Sequence, residues 1–232
     1  MDQSYQDIQY SLIRSRRRTA CIIIGHDGRV TLRVPMRFKI ESVEQFIESK
    51  RAWIGKHLAA LQDRSAVRVK REYVNGEGFL YLGRTYPLKL VEDQAEPLVL
   101  EGGHFCLRSD LAPPGSASTE EVFRDFYRRQ VITAIPERVA YYQGKMGVTP
   151  GRIKVTESRC RWASCSAKGN LRFHWKCMMA PATILDYLVV HELAHLIHLN
   201  HSAAFWDEVA KVLPDYRERD RWLKTQGAWL GL

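Results

Sequence analysis

Cysteine is scarce and unpaired in this chain. Five occur in 232 residues (Cys21, Cys106, Cys160, Cys165 and Cys177), an odd number, scattered and without a C-x-x-C pair. This excludes a dense disulfide framework and argues against a thiolate-built zinc site. Long apolar runs are missing too. The longest, Leu185 to Leu199, is broken by Asp186, His191, Glu192 and His195, so no membrane span is expected. The opening Met1-Asp2-Gln3-Ser4-Tyr5-Gln6-Asp7 is polar and acidic, unlike a signal peptide. Reduced thiols and a cytoplasmic location are the expectation that follows. No internal repeat of fixed period is visible in the sequence.

Negative charge is in deficit: 35 Lys/Arg face 26 Asp/Glu, for a formal net charge of +9. The excess is spread, with 18 Lys/Arg against 14 Asp/Glu in residues 1–115 and 17 against 12 in the remainder. Arg14-Ser15-Arg16-Arg17-Arg18 and Arg68-Val69-Lys70-Arg71 are the densest runs. They read as solvated faces beside strands or as a surface for nucleic acid or nucleotide, and composition does not choose between these.

What is present is an α+β pattern. Thr19 to Ile24 and Arg29 to Val34 flank Gly25-His26-Asp27-Gly28, a hairpin signal. Phe79 to Leu82 and Thr85 to Val91 flank Gly83-Arg84, and Leu98 to Leu100 and Phe105 to Leu107 flank Gly102-Gly103. Between these strands Ser42 and Gln45 form a capping box for a helix striped by Phe46, Ile47, Trp53, Ile54, Leu58 and Leu61. Ala112-Pro113-Pro114-Gly115-Ser116-Ala117 reads as a linker, which predicts a β-rich N-terminal domain over 1–112 and a second domain over 113–232. A long helix opens at Ser118-Thr119-Glu120-Glu121, is expected to kink or divide at Pro136, and ends at Gly144 to Gly147. Strands are expected at Ile153 to Thr156, Trp162 to Ser166 and Leu171 to Trp175.

His191-Glu192-Leu193-Ala194-His195 carries the chemistry. Two histidines four apart lie one turn apart on the same helix face, so both imidazoles can reach one ion, with Glu192 beside them. This is the H-E-x-x-H arrangement of zinc hydrolases, in which the glutamate is the general base. His201 supplies the third ligand by this reading. Asn200 tolerates the left-handed conformation that ends a helix, Ser202 is a good N-cap for the next, and His201 therefore sits at the corner between them. The competing third ligand is Asp207 or Glu208 on that second helix. Three histidines leave a fourth position for water, the mark of a catalytic rather than a structural zinc. One Zn2+ per chain is the expected cofactor. His26, His57, His104 and His198 fit no ligand spacing.

The segment from Ile153 onward resembles the YgjP-like metallopeptidase family, relatives of the SprT-type zincins. The matching residues are Arg161-Trp162-Ala163-Ser164-Cys165-Ser166, Pro181, Asp186-Tyr187, the H-E-x-x-H motif, Asn200-His201-Ser202 and Phe205-Trp206. The N-terminal strands and Trp53-Ile54 also resemble the family. The resemblance implies a zincin-like fold, with a small sheet packed on the H-E-x-x-H helix, His191, His195 and His201 as ligands and Glu192 as base. Ala163 stands where the family has glycine, and His174 where relatives usually place asparagine.

Arg161, Trp162 and Ser164 are candidate substrate contacts. Zincin-type enzymes lay an extended substrate along a strand near the metal helix; Arg161 can then pair with an anionic group and Ser164 donate a hydrogen bond. Trp162 and Cys165 equally suit simple packing. The leading function is a metallopeptidase acting on peptide or protein. Alternatives are a nucleoside triphosphate pyrophosphatase on the same site and a non-catalytic, zinc-stabilised binding module. The intact Glu192 favours the enzyme readings.

Overall fold

The computed structural model describes all residues except Met1, 25–27, 66–70, 113–116 and 159–160. The chain forms two compact units, 1–69 and 70–232.

The first unit is a four-stranded sheet with one helix. Its strands are β1 (Asp2–Tyr5), β2 (Ile8–Ser15), β3 (Cys21–Ile24) and β4 (Val30–Pro35), in the order β1-β2-β4-β3. β1 and β3 pair antiparallel with their neighbours, while β2 and β4 are parallel. Alternation in β4 buries Val30, Leu32 and Val34 and exposes Arg33, as a half-covered sheet requires. Ile8 and Tyr10 of β2 and Val43, Ile47 and Ile54 of α1 (Ile40–Ser65) complete this core. α1 starts two residues ahead of Ser42, so the expected capping box lies inside the first turn. Trp53, expected in the apolar stripe, is 42% exposed.

The second unit begins with another four-stranded sheet: β5 (Gly78–Tyr81), β6 (Arg84–Val91), β7 (Leu98–Glu101) and β8 (His104–Arg108), ordered β5-β6-β8-β7. Here too the inner pair is parallel and both outer pairs are antiparallel. A long helix follows, α2 (Ala117–Met146). The sequence shows no repeat, yet this is the topology of the first unit used again. Phe79 and Phe105 of the sheet meet Phe123 and Phe126 of α2, with the Phe79 and Phe123 rings stacked at 4.2 Å. That aromatic contact explains why the units divide near residue 69 rather than at the segment that composition marks as a linker.

α2 continues across Pro136 as one element. Its buried stripe (Phe123, Tyr127, Val131, Ile135, Val139 and Tyr142) runs past the proline on both sides. Pro136 lies on the exposed face with Ile132, where the carbonyl that loses its N–H partner is open to water. Gly147 ends the helix with a φ of +64°.

A three-stranded sheet and three helices complete the unit. β9 (Ile153–Thr156), β10 (Ala163–Cys165) and β11 (Leu171–His174) lie in the order β10-β11-β9, which leaves β10 at an edge. They agree with the expected strands to within two residues. α3 (Ala182–Ala194), α4 (Ala203–Val212) and α5 (Tyr216–Gln226) follow. The β5–β6 turn meets the start of α3. Leu82 and Gly83 both have positive φ, as a two-residue hairpin turn demands, and a side chain on Gly83 would sit 2.8 Å from Pro181. Among the described residues no helix is long and apolar enough to cross a membrane.

Candidate metal centre

α3 is buried nearly all round, which makes its polar residues conspicuous. Asp186 and Glu192 are two of its inward-facing groups, only 8% and 4% exposed. Asp186 is matched by Arg138 of α2 in a direct ion pair. Glu192 has no such full partner. The backbone N–H of Cys165, on β10, donates to its carboxyl group, while Oε2 is buried without a hydrogen-bond partner among the protein's atoms. Burial pushes the Glu192 carboxyl up to about 7, with the Cys165 N–H and the Arg161 charge pulling the other way.

His191 and His195 share the face of α3 that the spacing predicts, with ring centroids 5.1 Å apart. α3 ends at Ala194, and the chain leaves through a tight turn in which Leu196, Ile197 and His198 bond back to Leu193 and Ala194. The helix therefore stops earlier than Asn200, and Asn200 does not adopt a positive φ. The corner remains. Ser202 caps α4 by accepting from the Phe205 N–H, and His201 in front of it turns back toward α3. Its Nε2 stands 3.0 Å from Nε2 of His191.

One ligand atom from each of His191, His195 and His201 lies within 4.8 Å of the other two, and no other such group of three His, Cys, Asp or Glu occurs among the described residues. Asp207 and Glu208 stay outside it, and Glu208 pairs with Lys211. Cys165 and Cys177 form no cluster, and Cys160 lies outside the described residues.

Zinc fits these residues. At Zn–N distances near 2.05 Å, the nitrogens of a tetrahedral site are about 3.3 Å apart, close to the observed His191–His201 approach. Nδ1 of His195 faces the carbonyl of His198 at 3.1 Å; donating there fixes the tautomer and leaves Nε2 as the ligand atom. Burial first, then the neighbouring His195 and His201, holds His191 down at about 3, and burial likewise lowers His195. Both are neutral at pH 7, the form a metal needs.

Aromatic rings support the triad from the α4 side. The fully buried Phe205 lies 4.7–5.0 Å from all three imidazoles. Trp206 stacks on His201 at 5.7 Å and on Tyr216 of α5 at 5.1 Å. Tyr187, one turn before His191, packs against it and donates to Asp220 at 3.1 Å.

The candidate substrate residues separate. Arg161 is exposed and close enough to act electrostatically on Glu192. Ser164 is half-buried on the edge strand β10, in register with Arg172. Trp162 packs instead, with its ring against His174 and only just clear of Gly227. The His198 carbonyl and the Cys165 N–H escape a reading of side chains, because both act through the backbone. Phe205 and Trp206 carry a signal in their aromatic pair next to the capping serine.

The model of the YgjP-like metallopeptidase domain matches residues 18–226. The chain belongs to the YgjP-like metallopeptidase domain family. It is thereby a metallopeptidase-type hydrolase domain, and the family implies a catalytic metal. Two solved structures are similar over 40% of this chain. One is the metallopeptidase zymogen of Pyrococcus abyssi abylysin, at 27% identity over 95% of that chain with a TM-score of 0.37. The other is the metallopeptidase zymogen of Methanocaldococcus jannaschii jannalysin, at 19% identity over 97% of that chain, also with a TM-score of 0.37. No curated protein matches the chain.

Proposed function

We propose that this YgjP-like domain is a zinc-dependent peptidase in which His191, His195 and His201 hold the ion and Glu192 is the general base. One observation carries the reading: three imidazole nitrogens converge beside a buried carboxyl whose Oε2 has no protein partner. The ion, when bound, supplies a Lewis acid that lowers the pKa of water and polarises a carbonyl.

The chain's own residues do the rest. Glu192, raised toward neutrality, accepts a proton from the attacking water at Oε2 and returns it to the leaving amine. The Cys165 N–H holds the other side of that carboxyl, so the base cannot swing away. The His198 carbonyl keeps His195 in the ligating tautomer. The same strand that positions Glu192 through Cys165 lies at the edge of its sheet, where its remaining outward backbone groups are offered to an extended peptide. Arg161 beside it is free to meet a peptide carboxylate.

The test is a paired assay of wild type and Glu192→Gln with peptide-library and unfolded-protein substrates, and with the four nucleoside triphosphates in parallel. Peptide cleavage lost in Glu192→Gln supports the reading. Glu192-dependent release of phosphate or pyrophosphate with no peptide cleavage overturns it in favour of the nucleotide hydrolase. Full folding dependence on zinc, with neither activity, identifies a binding module.

A further inference from the structure

Residues 1–69 carry 13 Lys/Arg against 7 Asp/Glu, so six of the nine net positive charges fall in under a third of the chain. Their place in the sheet matters more than their number. β2 and β4 run parallel, in register from Tyr10↔Val30 to Ser15↔Pro35, so the segments leaving their C-terminal ends emerge at the same end of the sheet. β3 starts at that end too, because Cys21 pairs with Arg33. Arg14 ties the two exits together by donating to the carbonyls of Met36 and Phe38.

The result is that Arg14, Arg16, Arg17, Arg18, Arg33 and Arg37 gather at one end of a small sheet, with Lys39 next to them. Arg16, Arg18, Arg33 and Arg37 are exposed and form no ion pair among the described residues. Arg17 lies over the sheet with one guanidinium nitrogen 2.9 Å from Sγ of Cys21, and its Nε is buried without a partner. The carboxylates of Asp7 and Glu48 are taken up by Arg51 instead.

The second sheet shows that the fold does not require this. The β2–β3 connection holds Arg16-Arg17-Arg18; its topological counterpart, the β6–β7 connection, reads Glu92-Asp93-Gln94-Ala95-Glu96. One architecture thus carries opposite charge at the same place. Crowding like charges works against folding. Glu41 and Glu44 follow in the first turns of α1, yet among the described residues no carboxylate pairs with Arg16, Arg18, Arg33 or Arg37 to offset it. A partner that brings negative charge would.

We propose that this end of the N-terminal sheet binds the phosphate backbone of a nucleic acid. The arginines sit on two adjacent strands, spaced about 4.8 Å apart, and on the segments that leave them, which suits a row of phosphates better than a single anion. Arginine outnumbers lysine six to one there, and its planar fork pairs two-pronged with phosphate oxygens. The exposed apolar residues at this end, Ile13, Met36 and Ile40, are single aliphatic side chains with no Trp or Tyr of the kind that anchors proteins in a membrane interface.

The experiment measures binding of the full chain to labelled oligomers of roughly 20 nucleotides by fluorescence anisotropy, as single-stranded RNA, single-stranded DNA and duplex DNA, across a salt series. Wild type is compared with Arg16→Gln/Arg18→Gln/Arg37→Gln and with an equal loss of charge elsewhere, Arg84→Gln/Lys89→Gln/Arg221→Gln. All six positions are exposed, and unchanged melting temperatures establish that the variants fold. The N-terminal triple variant is expected to weaken binding by about tenfold or more and to flatten the salt slope by about 2–3, while the control triple changes affinity by about twofold or less. The three oligomers show which polymer is preferred. Equal losses in both triples overturn the proposal, as does absence of binding at about 50 mM salt. So does binding to phosphatidylserine-containing vesicles without binding to any oligomer, or self-association that the N-terminal triple alone abolishes.

Discussion

β1–β4 with α1 and β5–β8 with α2 follow one topology, and corresponding elements begin between 74 and 77 residues apart. The two copies differ in what their helices and connections carry. α2 presents a long buried stripe, including Phe123, Phe126 and Tyr127, and belongs to the same core as α3, which carries His191 and His195. α1 presents Val43, Ile47 and Ile54 to a small core of its own. Arginines follow the same division. In the second unit Arg71, Arg108, Arg124, Arg128, Arg129, Arg138 and Arg219 all meet carboxylates, whereas in the first Arg51 meets two and Arg16, Arg18, Arg33 and Arg37 meet none among the described residues. A shared backbone plan thus sets neither charge nor chemistry. One copy packs its long helix against α3; the other leaves a basic end exposed.

The largest test of that division is Glu192→Gln. Turnover is expected to fall by about 10²–10⁴-fold, while metal content, melting temperature and any nucleic-acid affinity of the first unit stay unchanged. Steady-state kinetics with elemental analysis checks it, and full activity in the zinc-loaded variant would show that Glu192 is not the base.

Next in size are core truncations, one per unit. Phe205→Ala removes the ring shared by three imidazoles and is expected to cost about 3–5 kcal/mol, with weaker zinc binding. Ile47→Ala is expected to cost about 2–5 kcal/mol, confined to the first unit's core. Hydrogen exchange separates them: Ile47→Ala should speed exchange in β2, β4 and α1 but leave α2 and α3 protected. Uniform acceleration across both would mean that the two cores unfold as one.

A smaller effect concerns thiols. Cys177 is fully buried and its thiol is pushed up to about 12 by that burial, whereas Cys21 is partly accessible in the first unit. Iodoacetamide at pH 8 should label Cys21 in the native protein and Cys177 only after denaturation, as peptide mapping would show.

The smallest is a surface pair. The Arg51 guanidinium hydrogen-bonds Asp7 and holds its carboxyl below the ordinary 3.8. The folded state therefore binds this proton less readily than the unfolded chain, so the pair's contribution is present above about pH 4 and is lost as pH falls through the lowered value. Arg51→Gln should return Asp7 toward its ordinary titration in an NMR series. Glu121, lowered by Arg128 in the second unit, should be unmoved.

Much of the site was legible because it rests on local periodicity. Helical spacing alone puts His191 and His195 on one face, and Ser202 signals the start of α4 that leaves His201 at a corner. β3 and β4 of the first unit and all four strands of the second unit's larger sheet announced themselves through alternation and Gly-bearing turns, whereas β1 and β2, joined through Gln6 and Asp7 without a glycine, did not. Other features depend on what is packed nearby. Pro136 reads as a break, yet the buried residues on either side hold α2 together. Asn200 reads as a helix end, yet backbone bonds to Leu193 and Ala194 close α3 earlier.

The sequence by itself determined the α+β class, the histidine pair with its glutamate and the family, since each depends on residue identity at short, fixed spacing. Tertiary structure alone decided three things. It brought His201 within 3.0 Å of His191 and turned the Cys165 N–H onto Glu192, because both contacts join separate elements. It revealed the repeated four-strand topology, which strand pairing preserves while the side chains differ. It also drew the arginines after β2 and β4 to one end of a sheet, because parallel pairing aligns the exits of strands that lie far apart along the chain.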